Sequence, residues 1–156
     1  MSGWEILVVV HVLSALIGIG PTYLGHVFLR RSQSVPQYRS SIGFVGRMEM
    51  FPKIGGSIAV LSGLGLALSG NYGTFAQIWM YGTLVIYVLI QITMIAGIGP
   101  ALKKIGAWLS DPVNEHATAF PPQQQQWVNR ASGLLYAASG LGLIIFILMI
   151  VKPDSI

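Results

Sequence analysis

The sequence predicts an all-α integral membrane protein, a four-helix bundle forming one transmembrane domain over residues 1–156 with both termini outside. Three observations carry this prediction. Only 9% of the residues are charged and 53% are hydrophobic, whereas a soluble domain carries about 25% charged residues. The charges are segregated, with 49 uncharged residues in a row between Lys53 and Lys103, 24 between Glu5 and Arg30, and 21 between Arg130 and Lys152. A spanning helix takes roughly 20 apolar residues, so the longest stretch holds two spans and the others one each. The basic residues are also one-sided. Arg30, Arg31, Arg39, Arg47 and Lys53 lie in or beside the first long connection, Lys103, Lys104 and Arg130 flank the third, and only Lys152 lies opposite. Positive charge is retained on the cytoplasmic side of a membrane, which places both long connections inside.

The first helix is expected over residues 4–29, with Trp4 at interfacial depth and Arg30 and Arg31 closing the other end. Its start lacks a basic leader and no small-residue cleavage site ends it, so it is expected to stay in the mature protein. The connection Ser32–Gly46 reads as polar and contains Pro36 and Arg39. Helix two starts within GRMEMFPKIGG and is expected over residues 48–68, with Glu49 and Lys53 at the i,i+4 spacing of an ion pair. The run SGNYG, 69–73, is the strong turn signal in the uncharged stretch, because Gly and Asn accept the backbone angles of a tight reversal. Helix three is expected over 75–102, a long loop runs from Lys103 to Gln126, and helix four is expected over 127–151.

Two motifs recur. Gly18-Ile19-Gly20-Pro21 returns as Gly97-Ile98-Gly99-Pro100, and Ser62-Gly63-Leu64-Gly65-Leu66 returns as Ser139-Gly140-Leu141-Gly142-Leu143, at offsets of 79 and 77 residues. This reads as two duplicated helix hairpins, and their small residues as places where helix backbones approach closely. At the same offset His11 corresponds to Ile90 and His26 to Ile105, so the histidines belong to the first copy alone.

Those histidines are the chemical candidates, because an ionisable side chain inside a bilayer is a functional hypothesis by default. His11 lies about 10 Å below the outer interface at 1.5 Å per residue. Its face carries Ser14, Ala15, Gly18, Thr22 and Gly25, a stripe with room for a flat ligand or for another helix. Pro21 is expected to kink the helix below it. His11 reads either as a haem ligand or as a neutral imidazole bonded to a Ser, Thr or Tyr of a neighbouring helix. His26, roughly 22 Å further along the axis, reads either as a second ligand or as an interfacial residue beside Arg30 and Arg31. No other spanning helix holds a histidine. The further ligands at compatible depth are therefore Met80 and Met149 for His11, and Met48, Met50 and Met94 for His26, each of which also suits core filling. Arg47 and Arg130 can hold haem propionates, since guanidinium binds carboxylate bidentately, or can anchor the inner face. His116, beside Glu115, reads as a solvated loop residue.

Several classes are excluded. The chain has no cysteine, which removes disulfides, iron–sulfur clusters and thiolate-bound haem. The net charge of +4 belongs to loops that set topology rather than to nucleic-acid binding. Paired carboxylates, a phosphate-binding Gly loop and a Ser/His/Asp set are absent, which argues against hydrolase and nucleotide chemistry.

His11 followed by Gly18-Ile19-Gly20-Pro21, Met48-Glu49 ahead of Ser62-Gly63-Leu64, and the terminal Val151-Lys152-Pro153 resemble an uncharacterised bacterial family of small predicted integral membrane proteins (DUF2269-like). That group is similar to the HemJ-type protoporphyrinogen IX oxidases and to CopD-like membrane domains. The resemblance implies a four-helix bundle and b-type haem with His11 as ligand. HemJ-type enzymes carry a functional lysine early in helix three, and Trp79-Met80-Tyr81-Gly82-Thr83 has none. Asn129-Arg130 matches their helix-four pair only approximately. Both departures argue against protoporphyrinogen oxidation and leave haem binding open.

The leading expectation is a membrane protein of the bacterial cytoplasmic (inner) membrane that binds haem b for electron transfer or haem-dependent oxidoreduction, with His11, His26, Gly18, Arg47 and Arg130 at the cofactor. Expected partners are the lipid bilayer, a quinone or redox protein, and a second copy in a homodimer that would supply a missing ligand. The alternatives are a metal or small-ligand binding protein or transporter, and an accessory subunit without its own cofactor. The topology has a direct test: a cysteine in place of His116 reacts with a membrane-impermeant maleimide in inverted membranes and not in intact cells. Labelling in intact cells would reverse the assignment.

Overall fold

The computed structural model describes residues 2–69 and 77–153. Helix α1 (Gly3–Phe28) begins on a capping box, in which the Glu5 amide donates to Ser2 Oγ and the Ser2 amide to Glu5 Oε2. Two of the amide donors that a helix start leaves unpaired are thereby satisfied. The helix runs through Pro21 without interruption and ends at Leu29, whose amide donates to the Gly25 carbonyl.

The connection read as polar is largely a helix. Helix α2 (Val35–Met48) has Pro36 in its first turn, where the missing amide costs nothing. Val35, Tyr38, Ile42 and Val45 recur at the spacing of one helical face, and that face packs into the protein, with Val35 and Tyr38 fully buried. A break at Glu49 separates it from helix α3 (Met50–Leu68). Pro52 follows, and it cannot donate to the Met48 carbonyl. The expected Glu49–Lys53 pair forms at 2.9 Å, with both side chains exposed. Beyond Ser69, the SGNYG turn lies outside the described residues.

The third span also runs past its expected end. Helix α4 (Ile78–Ile92) passes into a π-helical segment, Thr93–Ile98, and then into helix α5 (Gly99–Ser110). The wider π turn comes immediately before Pro100, whose ring and missing amide disturb the regular ladder. The stretch KKIGAWLS, expected as loop, is helical because Ala101, Ile105 and Leu109 extend the buried face of Ile98. A short 3₁₀ turn, Pro112–Asn114, follows. Helix α6 (Pro122–Val151) starts ahead of the expected Trp127, with Pro122 in its first turn. It ends at Lys152, whose backbone is left-handed at φ 46° and whose amide donates to the Leu148 carbonyl.

Four helical stretches, 3–28, 35–68, 78–110 and 122–151, are long and apolar enough to cross a membrane. Their outward faces are apolar, as at Leu61 and Ile95, both at least 70% exposed, which suits lipid as the solvent. Helix α1 packs along α3 and against α6, and α6 packs against α4, the π segment and α5. No Cα of α3 comes within 8 Å of one in α4. The side chain of Tyr87 reaches across, where a Cβ on Gly56 would stand 3.3 Å from its Oη. The inner pair is therefore α1 and α6. At the Arg-rich end, Leu29, Val35, Tyr38, Ile105, Leu109 and Val128 form a core joining α2 and α5 to the spans. Arg39 fastens it by donating to the Leu109 and Asn114 carbonyls, acceptors that a helix end leaves free.

The main chains of α1 and α3 approach closely. A Cβ on Gly18 would lie 2.7 Å from the Gly56 amide nitrogen, and one on Gly55 would lie 2.8 Å from the Gly18 nitrogen. Around Gly20 nothing lies within 4 Å. Gly18→Ala is therefore expected to destabilise the detergent-solubilised protein by about 1–3 kcal/mol through overpacking. Gly20→Ala, which adds a better helix former in open space, is expected to be neutral or to stabilise by up to about 1 kcal/mol. Equal unfolding midpoints for the two variants would contradict this packing.

Candidate functional site

His11 stands on α1 one turn before Ser14, on the side where α1 meets α3. It fits there because residue 63 has no side chain: a Cβ on Gly63 would lie 2.8 Å from the imidazole Cε1. The ring is half-buried, with Nδ1 2.8 Å from the Ala59 carbonyl and 3.2 Å from Ser62 Oγ. A carbonyl can only accept, so Nδ1 carries a proton, and in the neutral ring the lone pair is on Nε2. Ser62 is itself fixed by donating to the Ile58 carbonyl at 2.6 Å. The result is an imidazole of set orientation with its Nδ1–H committed. Nε2 has no hydrogen-bond partner among the described residues. A histidine whose Nδ1–H is held by a backbone carbonyl is prepared to coordinate through Nε2.

His26 is arranged differently. Its Nε2 lies 2.8 Å from Ser139 Oγ on α6, and its ring stacks on Tyr136 with centroids 4.1 Å apart and planes 17° apart. Ser139 also donates to the Thr22 carbonyl at 3.4 Å. The remaining nitrogen, Nδ1, is buried without a partner. One nitrogen is thus occupied and the other enclosed, leaving neither open to a ligand in this arrangement.

The two serines are the same position of the duplicated motif. Ser62 opens the first SGLGL and Ser139 the second, and α1 supplies one histidine to each. The sequence contained this signal in the repeat, but the pairing of repeat with histidine was not legible there. The first glycines of the other motif are used alike: Gly18 admits α3, and Gly97 admits Leu134 of α6, where a Cβ would lie 2.7 Å away. This is the pairing of two hairpins, α1 with α3 and the third span with α6.

The remaining candidates do not converge on His11. The small-residue face at Ser14 and Gly18 is occupied by α3, so of a flat ligand and a helix the structure has the helix. A crevice beside it, walled by Ser14, Ile17, Met50 and Ile54, measures about 210 Å³, below the roughly 300–1,000 Å³ of pockets that enclose drug-sized ligands. Arg47 is exposed on the last turn of α2. Arg130 and Lys104 both lie over the Trp127 ring, 5.6 and 3.9 Å from its centre. Met94 and Met149 pack against the Ile90, Ala138 and Ile145 cluster, and Met50 is 53% exposed. His116 is exposed in its loop. Among the described residues no three His, Cys, Asp or Glu side chains group as a metal site. For a haem, then, the fit among the described residues is that of one imidazole beside a crevice too small to enclose it.

A family model described as Predicted integral membrane protein (DUF2269) matches residues 5–153. No curated protein and no solved structure matches the chain.

The unequal anchoring of the two histidines has a measurable consequence. Ser139→Ala removes the one hydrogen-bond partner of His26 and is expected to cost about 0.6–2 kcal/mol, the range for hydrogen bonds between membrane helices. Ser62→Ala should cost less, because His11 keeps the Ala59 carbonyl. Reversible unfolding of both variants in mixed micelles checks the order.

Proposed function

The chain belongs to the DUF2269 family of predicted integral membrane proteins, and from that premise we propose that it is a b-type haem protein of the bacterial cytoplasmic membrane, working in electron transfer or haem-dependent oxidoreduction. His11 is the axial ligand in this reading. The observation that carries it is the His11 imidazole itself: Nδ1–H is committed to the Ala59 carbonyl, and Nε2 is left with its lone pair and no partner among the described residues. When bound, haem supplies a one-electron couple. The protein holds the imidazole at a fixed angle, with Nδ1–H donating to the Ala59 carbonyl and lying beside Ser62 Oγ.

Because Met149 packs against the Ile90, Ala138 and Ile145 cluster, any further ligand to a haem held at His11 would come from Met80 or from a second copy of the chain. The one-sided charge supports the inner membrane as location, with the Arg-rich end inside. A second reading, an accessory subunit in which the histidines only tie helices together, is favoured by the His26–Ser139 bond, which occupies a ring nitrogen for packing.

Visible spectroscopy of protein purified in mild detergent from haem-replete cells separates the two. The haem reading expects a Soret band that shifts on dithionite reduction, is lost in His11→Ala and persists in His26→Ala. A colourless preparation would refute it and favour the accessory subunit.

A further inference from the structure

At the Arg-rich end of the α1/α6 contact, a cavity of about 400 Å³ opens between Arg30, Arg31, Ser32, Ser132 and Tyr136. Its wall contains two guanidiniums and three hydroxyls and no carboxylate. Neither guanidinium makes an ion pair or hydrogen bond with a described residue. Arg31 is nevertheless positioned. A Cβ on Gly133 would lie 3.3 Å from its Nη2, so the missing side chain lets the guanidinium lie against α6, and Gln125 Nε2 donates to the Arg31 carbonyl at 3.1 Å.

Ser132 is the most informative member. The residue is only 3% exposed, it lines the cavity, and its hydroxyl has no hydrogen-bond partner among the described residues. Ser62 and Thr83 return their hydroxyls to a carbonyl one turn back, at Ile58 and Trp79, and Ser132 makes no such bond. The Ser132 hydroxyl, on a buried residue yet open to the cavity, stands beside two unpaired guanidiniums and is placed for an external acceptor. Tyr136 is held in the wall by its stacking on His26.

Unpaired guanidiniums with hydroxyls and no acid select an oxyanion, and phosphate matches the guanidinium fork. The position of the cavity selects its source. Further into the span, Val27 and Leu24 on α1 and Leu143 on α6 are 49%, 46% and 55% exposed, so apolar surface continues from the cavity along both helices. We propose that this cavity binds the phosphate of an anionic phospholipid headgroup, with the acyl chains along Val27, Leu24 and Leu143. The lack of a carboxylate in the wall disfavours headgroups that add an ammonium. The site uses none of the residues assigned to haem, so its test is independent of that reading.

The full chain in mild detergent is titrated with phosphatidylglycerol, phosphatidylcholine or inorganic phosphate, with bound adducts read by native mass spectrometry. Phosphatidylglycerol is expected to bind about tenfold more tightly than phosphatidylcholine, and the Arg30→Gln/Arg31→Gln variant to lose about tenfold in that affinity, as for charge-assisted hydrogen bonds. Ser132→Ala, which only enlarges a cavity, should weaken binding several-fold, and Lys103→Gln, an exposed cation outside the wall, should not change it. Equal binding of the two lipids, or undiminished binding by both cavity variants, would overturn the proposal. Inorganic phosphate displacing phosphatidylglycerol at matching concentration would assign the site to a soluble anion and overturn the lipid.

Discussion

The structure depends on a backbone contact between two helices. Gly18 on α1 meets Gly55 and Gly56 on α3 so closely that a methyl group on residue 18 or 55 would fall inside van der Waals distance of the opposing main chain. In lipid no hydrophobic force pulls apolar helices together, and contact of this kind is what is left to do it. With the two axes at that separation, the imidazole of His11 reaches the Ala59 carbonyl and fills the space over Gly63. The geometry of the candidate ligand is thus a consequence of glycines on the same two helices.

Helix α1 serves both copies of the SGLGL motif, and the motif repeat is not carried through evenly. Each copy of SGLGL presents its serine to a histidine of α1, and the third span, which is the counterpart of α1, presents none. Its GIGP copy differs as well. Gly18–Pro21 lies within a continuous helix, whereas Gly97–Pro100 straddles the change from a π segment to α5. A repeat that diverges in this way gathers both membrane histidines on one helix. The two histidines have diverged in turn. His11 keeps a nitrogen free, while His26 spends one on Ser139 and buries the other behind Tyr136.

The Arg-rich end is more structured than a set of loops between spans. Helices α2 and α5 close over it, sharing the Tyr38, Ile105 and Leu109 core, with Arg39 tying the end of α5 back to α2. This was hard to read from the chain because hydropathy and charge dominate there. The polar residues of Ser32–Gly46 and the lysines of KKIGAWLS mask a buried face of one residue in three or four, and Pro36 looks like a breaker although it occupies a first turn. A search for helical period in those two segments finds Val35, Tyr38, Ile42 and Val45, and Ala101, Ile105 and Leu109. Roughly the spans and their order were legible, and the helices outside the apolar stretches were not.

What the sequence determined by itself is what the bilayer demands of any chain: long uncharged segments become spanning helices, and the small-residue motifs mark where they touch. Those properties are local, so composition and spacing suffice. The tertiary structure decided which helix takes the small-residue face of α1, which serine each histidine meets, and which ring nitrogen is left open. It also brought Arg30, Arg31 and Ser132 around one cavity. These outcomes turn on the distance and rotation between helices far apart in the chain, and neither is encoded in the residues around any one of them.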